Sequence, residues 1–196
     1  MGSKVQRNGR ASPAGGNRVE ALYHEFLKAF YADGDRARAR AIAPRLEAAV
    51  RASPAYAGSI RAEEISSLLA ELNGDYAAAA RSREAEIRRI LELHSLAVNT
   101  PSWPAISRRY DYSDVSDRLD LLALLYDQQG DTDRAIAVLR ESRQYCESHN
   151  IPFDGVDVLV ELESARKPTA KRAVGIRKRT PGASAAKRTA GRRVGS

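Results

Sequence analysis

The chain has a single cysteine, Cys146, so no internal disulfide can form and a reducing compartment fits best. It has no apolar run approaching the length of a bilayer-spanning helix, and no signal-peptide-like apolar stretch near its start. Membrane insertion and secretion are therefore not expected. No glycine-rich phosphate loop and no motif-supported Ser, His and Asp arrangement is present, which leaves catalysis and cofactor binding without support. Aromatic residues are scarce, at 6% of 196 residues with one tryptophan, so any place where they gather is informative. Acids are missing from both ends. Residues 1–19 carry Lys4, Arg7, Arg10 and Arg18, and residues 166–196 carry eleven basic residues, with no Asp or Glu in either segment.

That last absence relocates the charge. The formal net charge is +7, yet residues 20–165 hold 17 basic residues against all 25 acids, a net of −8. The terminal segments are low in apolar content and rich in Ala, Gly, Ser, Thr and Pro. Segments of this kind cannot bury enough surface to offset the entropy of ordering, and they are expected to be disordered tails over 1–17 and 167–196. A helical domain is expected over 18–166. The histone-like C-terminal tail offers Lys171, Arg172, Arg177, Lys178, Arg179, Lys187, Arg188, Arg192 and Arg193 as candidates for sequence-independent phosphate contacts with DNA or RNA. An acid-free, Arg-containing N-terminus also occurs in organelle transit peptides, although the expected location is cytoplasmic.

Three segments align without gaps: Tyr31-Ala-Asp-Gly-Asp-Arg-Ala-Arg-Ala39, Glu71-Leu-Asn-Gly-Asp-Tyr-Ala-Ala-Ala79 and Asp127-Gln-Gln-Gly-Asp-Thr-Asp-Arg-Ala135. In each, glycine can take the left-handed conformation that ends one helix. The aspartate after it can cap the next helix. The alanine five residues beyond the glycine allows two antiparallel helices to approach closely. Helical hairpins repeated three times follow, with helices expected at 18–33, 36–52, 57–73, 76–98, 114–129, 132–149 and 155–166. A cap at Asp154 is expected for the last helix, which would cover the end of the array.

These features resemble the tetratricopeptide repeat. The fullest copy runs from about Ser116 to His149, with Ala123 and Tyr126 at the small and aromatic sites of its first helix, then Gly130, Asp131, Ala135 and Leu139. The second copy has Ser67 and Ala70 at those two sites, and the first has Leu27 and Phe30. The resemblance implies an all-α, right-handed α-solenoid fragment of three hairpins plus a capping helix, working as a protein-interaction scaffold. It also implies that the first helices line a concave groove. Those helices are rich in acids, whereas the second helices concentrate arginine at Arg36, Arg38, Arg40, Arg45, Arg81, Arg83, Arg88, Arg89, Arg134, Arg140 and Arg143. An acidic groove and a basic outer face are therefore expected. The Lys, Arg and Asn needed to clamp acidic chaperone tails are not in place, because the matching turns offer His24, Lys28, Glu64, Leu68, Asp120 and Leu124.

The second and third glycines are 56 residues apart, against 40 for the first and second, and part of the excess is a connection over 99–112. Trp103, Arg108, Arg109, Tyr110 and Tyr112 there have the composition of interface anchors, and the same rings could instead fill the groove between repeats. Cys146 and His149 have a metal-compatible spacing but lack further ligands, and Cys146 reads as a small apolar side chain. Asp111, Asp114, Asp117 and Asp120 read as a negative first helical turn, capped by Ser113 or Asp114, and not as a calcium loop. The leading functional expectation is a non-enzymatic adaptor that binds a protein or peptide segment. Nucleic-acid association through the tail is the alternative.

Overall fold

Each Gly-Asp pair closes one helix and opens the next. In the computed structural model of the protein, Gly34, Gly74 and Gly130 have φ of 63°, 76° and 79°, the left-handed region that costs glycine nothing. The following aspartates cap the next helix: Asp35 accepts from Arg38 N at 2.9 Å, Asp75 from Ala78 N at 2.9 Å and Asp131 from Arg134 N at 3.1 Å. The outgoing helix is closed by the aspartate N–H. Asp75 donates to Ala70 O and Asp131 to Tyr126 O, each five residues back. Asp35 reaches six residues back, to Ala29 O, because the first helix ends in a wider, π-helical turn.

The structure describes residues 13–166, with side-chain surroundings from Arg18 onward. Helix α1 spans Pro13–Leu27 and runs into the π-helical turn Lys28–Ala32; α2 is Arg36–Arg51. After a 3-10 turn at Pro54–Tyr56 come α3 (Ile60–Leu72), α4 (Tyr76–Ala97) and the short α5 (Trp103–Ser107). Then follow α6 (Tyr112–Gln128), α7 (Thr132–His149) and α8 (Val156–Arg166). No strand occurs among the described residues. Of the expected tails over 1–17 and 167–196, residues 1–12 and 167–196, with the nine basic tail candidates, lie outside the described residues.

The chain departs from the sequence expectation at several places. Helix α1 begins at Pro13, inside the segment assigned to the N-terminal tail; proline suits a first helical position because its missing N–H would have no helical partner there. The helix expected from residue 57 starts at Ile60, capped by Ser59, because Pro54–Tyr56 forms its own turn and Gly58 takes φ of 65°. The cap of α6 is Asp111, not Ser113 or Asp114. Asp111 Oδ1 accepts from Asp114 N at 3.0 Å while Asp114 Oδ2 accepts from Asp111 N at 2.8 Å, so one reciprocal box satisfies two otherwise free N–H groups. The connection over 99–112 is partly helical, since it contains α5.

The helices pack chiefly on their neighbours in the chain: α1 on α2, α2 on α3, α3 on α4, α4 on α6, α6 on α7 and α7 on α8. Ala39, Ala79 and Ala135 are fully buried where paired helices cross. The apolar interior falls into two clusters. One gathers α1, α2 and α3 around Phe26, Leu46 and Ile65; the other gathers α4, α6, α7 and α8 around Ile90, Leu119, Ile136 and Leu139. The division runs through the second hairpin, between α3 and α4.

Polar groups fill that joint. Ser67 donates to Ala79 O at 2.9 Å from a fully buried position. Glu86 on α4 has no exposed surface and accepts from Arg83 Nη1 and Arg118 Nε, each at 2.5 Å. Arg118 on α6 also holds Asp114 at 3.1 Å. Beside this triad, Glu64 on α3 takes Arg61 at 2.5 Å and the Tyr23 hydroxyl of α1 at 2.6 Å. Burial pushes the Glu86 carboxyl above its ordinary value, against the pull of the two arginines. Arg83, read from the sequence as part of a basic outer face, is 3% exposed and belongs to this joint. Leu68, read as a groove position, is buried in the first apolar cluster.

Candidate functional site

The connection over 99–112 leaves α4 where Asn99 turns with φ of 69°, a conformation asparagine tolerates well, and Thr100 Oγ1 donates to Ala97 O at 2.6 Å. The chain then folds back onto α4. Tyr110 O accepts from His94 Nε2 at 2.7 Å, and because a carbonyl only accepts, the ring proton sits on Nε2. His94 is 6% exposed, and its Nδ1 is buried with no hydrogen-bond partner among the described residues.

Around His94 the scarce aromatics converge. Trp103 meets His94 edge-on at 5.2 Å between centroids and Tyr112 at 5.6 Å. Tyr112 meets His149 at 4.2 Å, and His149 meets Tyr145 at 4.1 Å. The cluster fastens the connection to α4, α6 and α7 at once. Burial pushes the Tyr145 phenol up to about 12, and its hydroxyl has no hydrogen-bond partner among the described residues. His149 Nδ1 donates to Tyr145 O at 2.9 Å, and Cys146 is buried with Sγ 3.0 Å from Ser116 Oγ. Cys146 thus sits in the interior beside a serine, and among the described residues no group of three or more His, Cys, Asp or Glu side chains converges at metal-binding range. In the acidic run, Asp111 and Asp114 form the cap, and burial raises the Asp117 and Asp120 carboxyls.

The five candidate residues of the connection divide into two sets. Trp103 and Tyr112 are half-buried in the aromatic cluster. Arg108 is exposed and donates through Nε to Pro104 O at 2.9 Å, stiffening α5. Arg109 and Tyr110 instead face a cavity of about 520 Å³, with the Arg109 guanidinium 5.7 Å from the Tyr110 ring centre. The opposite wall is the 54–61 turn, where Tyr56 donates to Glu20 at 2.7 Å. Along the third wall, α4 contributes Arg89, Leu93 and Leu96. Leu96 is 79% exposed, the most exposed of the large apolar side chains described. Sequence reading missed this wall. Its signal was the length of α4, 22 residues against 16 for α2, which carries Leu93 and Leu96 past the hairpin they belong to.

The charged groups lining the cavity are largely engaged with one another. Arg61 is occupied by Glu64 at 2.5 Å, with Glu20 at 3.6 Å, and Arg89 lies 3.4 Å from Glu63. Tyr56 is pushed up to about 12 by burial and by its bond to Glu20. What the walls offer is apolar surface, two aromatic rings and guanidinium groups, the side chains that anchor protein interfaces. Compared with protein-family models, curated proteins and solved structures, the chain gives no match.

Proposed function

We propose that the chain is a non-enzymatic interaction module: a right-handed solenoid fragment of three tetratricopeptide-like hairpins closed by α8, which holds a segment of a partner protein. The repeated Gly-Asp turns and the packing of each helix on its chain neighbours support the solenoid reading. The observation that carries the binding reading is Leu96, exposed at the mouth of a cavity walled by Tyr56, Tyr110 and Arg109. The aromatic cluster sets the wall that carries Arg109 and Tyr110, so the connection acts as a preorganised edge of the site. The free, buried Cys146 suits the reducing cytoplasm.

The test is selection of peptides from a random library on the full-length chain, followed by titration against Leu96→Asp and Arg109→Glu. Selected peptides are expected to lose at least about tenfold in affinity to either variant, as for an anchor at the centre of an interface. Peptides that bind both variants as tightly as the parent chain refute the site.

A further inference from the structure

Helix α2 presents a second surface, independent of the cavity. It carries five arginines against one acid, Glu47, a net of +4 over 16 residues. Ala39, Ile42 and Leu46 are buried, Ala43, Ala49 and Val50 pack partly against the same core, and the remaining residues are exposed, with Arg40, Pro44 and Glu47 bordering a cavity shared with α3. At 3.6 residues per turn, Arg36, Arg40 and Arg51 fall along one flank, with Glu47 among them, and Arg38 and Arg45 along the opposite flank. The surface between the flanks holds only small side chains, Ala37, Ala41, Pro44 and Ala48, all exposed.

Four acids stand near these five arginines: Glu47 on α2 itself, Glu25, Asp33, and Glu71 of α3 toward Arg36. Glu47 is held by Arg51 at 3.3 Å, and Arg38 lies 3.6 Å from Glu25 and 3.7 Å from Asp33, all at exposed positions. Pairs of that kind in water are weak. Arg36 rests over the Phe30 ring at 4.1 Å. Arg40 and Arg45 have no ion-pair partner among the described residues.

We propose that α2 is a docking surface for double-stranded DNA, inserted along the major groove with one arginine flank toward each phosphate strand. A helix with its side chains is about 10–12 Å across, close to the roughly 12 Å width of the B-form major groove. Two arginine flanks separated by a ridge of small residues match two phosphate strands separated by base edges. The ridge offers methyl groups and no hydrogen-bonding side chain, so binding is independent of sequence. A protein partner fits less well, since the exposed face has no large apolar or aromatic anchor. Duplex RNA is excluded by shape, because its major groove is too narrow and deep for a helix.

The experiment uses the full-length chain with Lys171, Arg172, Arg177, Lys178, Arg179, Lys187, Arg188, Arg192 and Arg193 changed to Gln, so that tail contacts do not mask α2. A labelled mixed-sequence DNA duplex is titrated with this protein and with the same protein carrying Arg40→Glu and Arg45→Glu. Four phosphate contacts imply that affinity falls roughly a hundredfold between about 50 and 200 mM salt, and losing two of them reduces that fall to about tenfold. Circular dichroism of both proteins is expected to be the same, since both arginines are exposed. An unchanged salt dependence in the double variant overturns the proposal. So does duplex RNA that binds as tightly as DNA, or polyglutamate that displaces the probe as effectively as unlabelled duplex.

Discussion

Replacing Glu86 with Gln removes one charge from a place with no access to water. Glu86 bridges Arg83, 3% exposed, and Arg118, whose side chain is 13% exposed. Each guanidinium reaches it at 2.5 Å, one through each oxygen. An amide offers one oxygen and one donor nitrogen, so one arginine loses its acceptor and meets an N–H instead. Breaking a buried ion pair from one side costs about 3–5 kcal/mol; Arg118 keeps Asp114 at 3.1 Å, so the charge left without a carboxylate is that of Arg83. For a domain of this size that cost corresponds to a fall in melting temperature of about 6–20 °C. Because the triad lies between two apolar clusters, the loss is expected to fall on the joint. Far-ultraviolet circular dichroism and Trp103 fluorescence, which reports the cluster beyond α4, are expected to separate into two transitions in the variant. Changing all three groups together, as Arg83→Met, Glu86→Leu and Arg118→Met, is expected to restore most of the stability, since no buried charge then remains. A Glu86→Gln protein that melts within about 2 °C of the parent, a cost below about 1 kcal/mol, refutes this account of the joint.

Gly130→Val is expected to cost about 2 kcal/mol by thermal melting; a Cβ there meets nothing within 4 Å, so the whole penalty is the left-handed backbone, and Gly130→Asn should recover part of it. Trp103→Ala is expected to lower stability by about 2 kcal/mol, because the ring is half-buried against His94 and Tyr112; an unchanged melting temperature would detach it from the scaffold. Tyr145→Phe is expected to be neutral or stabilising at pH 7, since it removes a buried hydroxyl with no partner among the described residues. With the Tyr145 phenol pushed up to about 12 from 10.0, the parent chain is fully stabilised below pH 10 and loses stability as pH rises toward 12. Alkaline denaturation of parent and Tyr145→Phe chains checks this: the variant should lose less stability over that range, and parallel curves would contradict it.

The hairpin turns were legible because their information is local. A glycine at positive φ followed by an aspartate cap is specified within five residues, and Gly34, Gly74 and Gly130 all behave so. The aromatic connection was legible as a place but not as a division of labour. Nothing in its composition separates Trp103 and Tyr112, fastened to His94, from Arg109 and Tyr110, turned to the cavity. The polar joint was not legible at all. Arg83 and Glu86 sit three apart on a helix that also bears Arg81, Glu84, Arg88 and Arg89, and their spacing matches that of an ordinary solvated face. What buries them is α6, through Arg118, 32 residues away from Glu86. The cap of α6 shows the same limit on a smaller scale. Asp111 and Asp114 are both good caps, and their reciprocal geometry decides between them.

The measurement that bears most directly on the interaction reading is site-specific photocrosslinking in the native cell extract, with a photoreactive phenylalanine analogue placed at Leu96 of the full-length chain and, separately, at exposed Ser66 of α3. The account expects one defined protein segment to be captured from Leu96, to be lost when Arg109→Glu is combined with the probe, and to be missing from Ser66. Equal capture from both positions, or capture from Leu96 that survives Arg109→Glu, would contradict it.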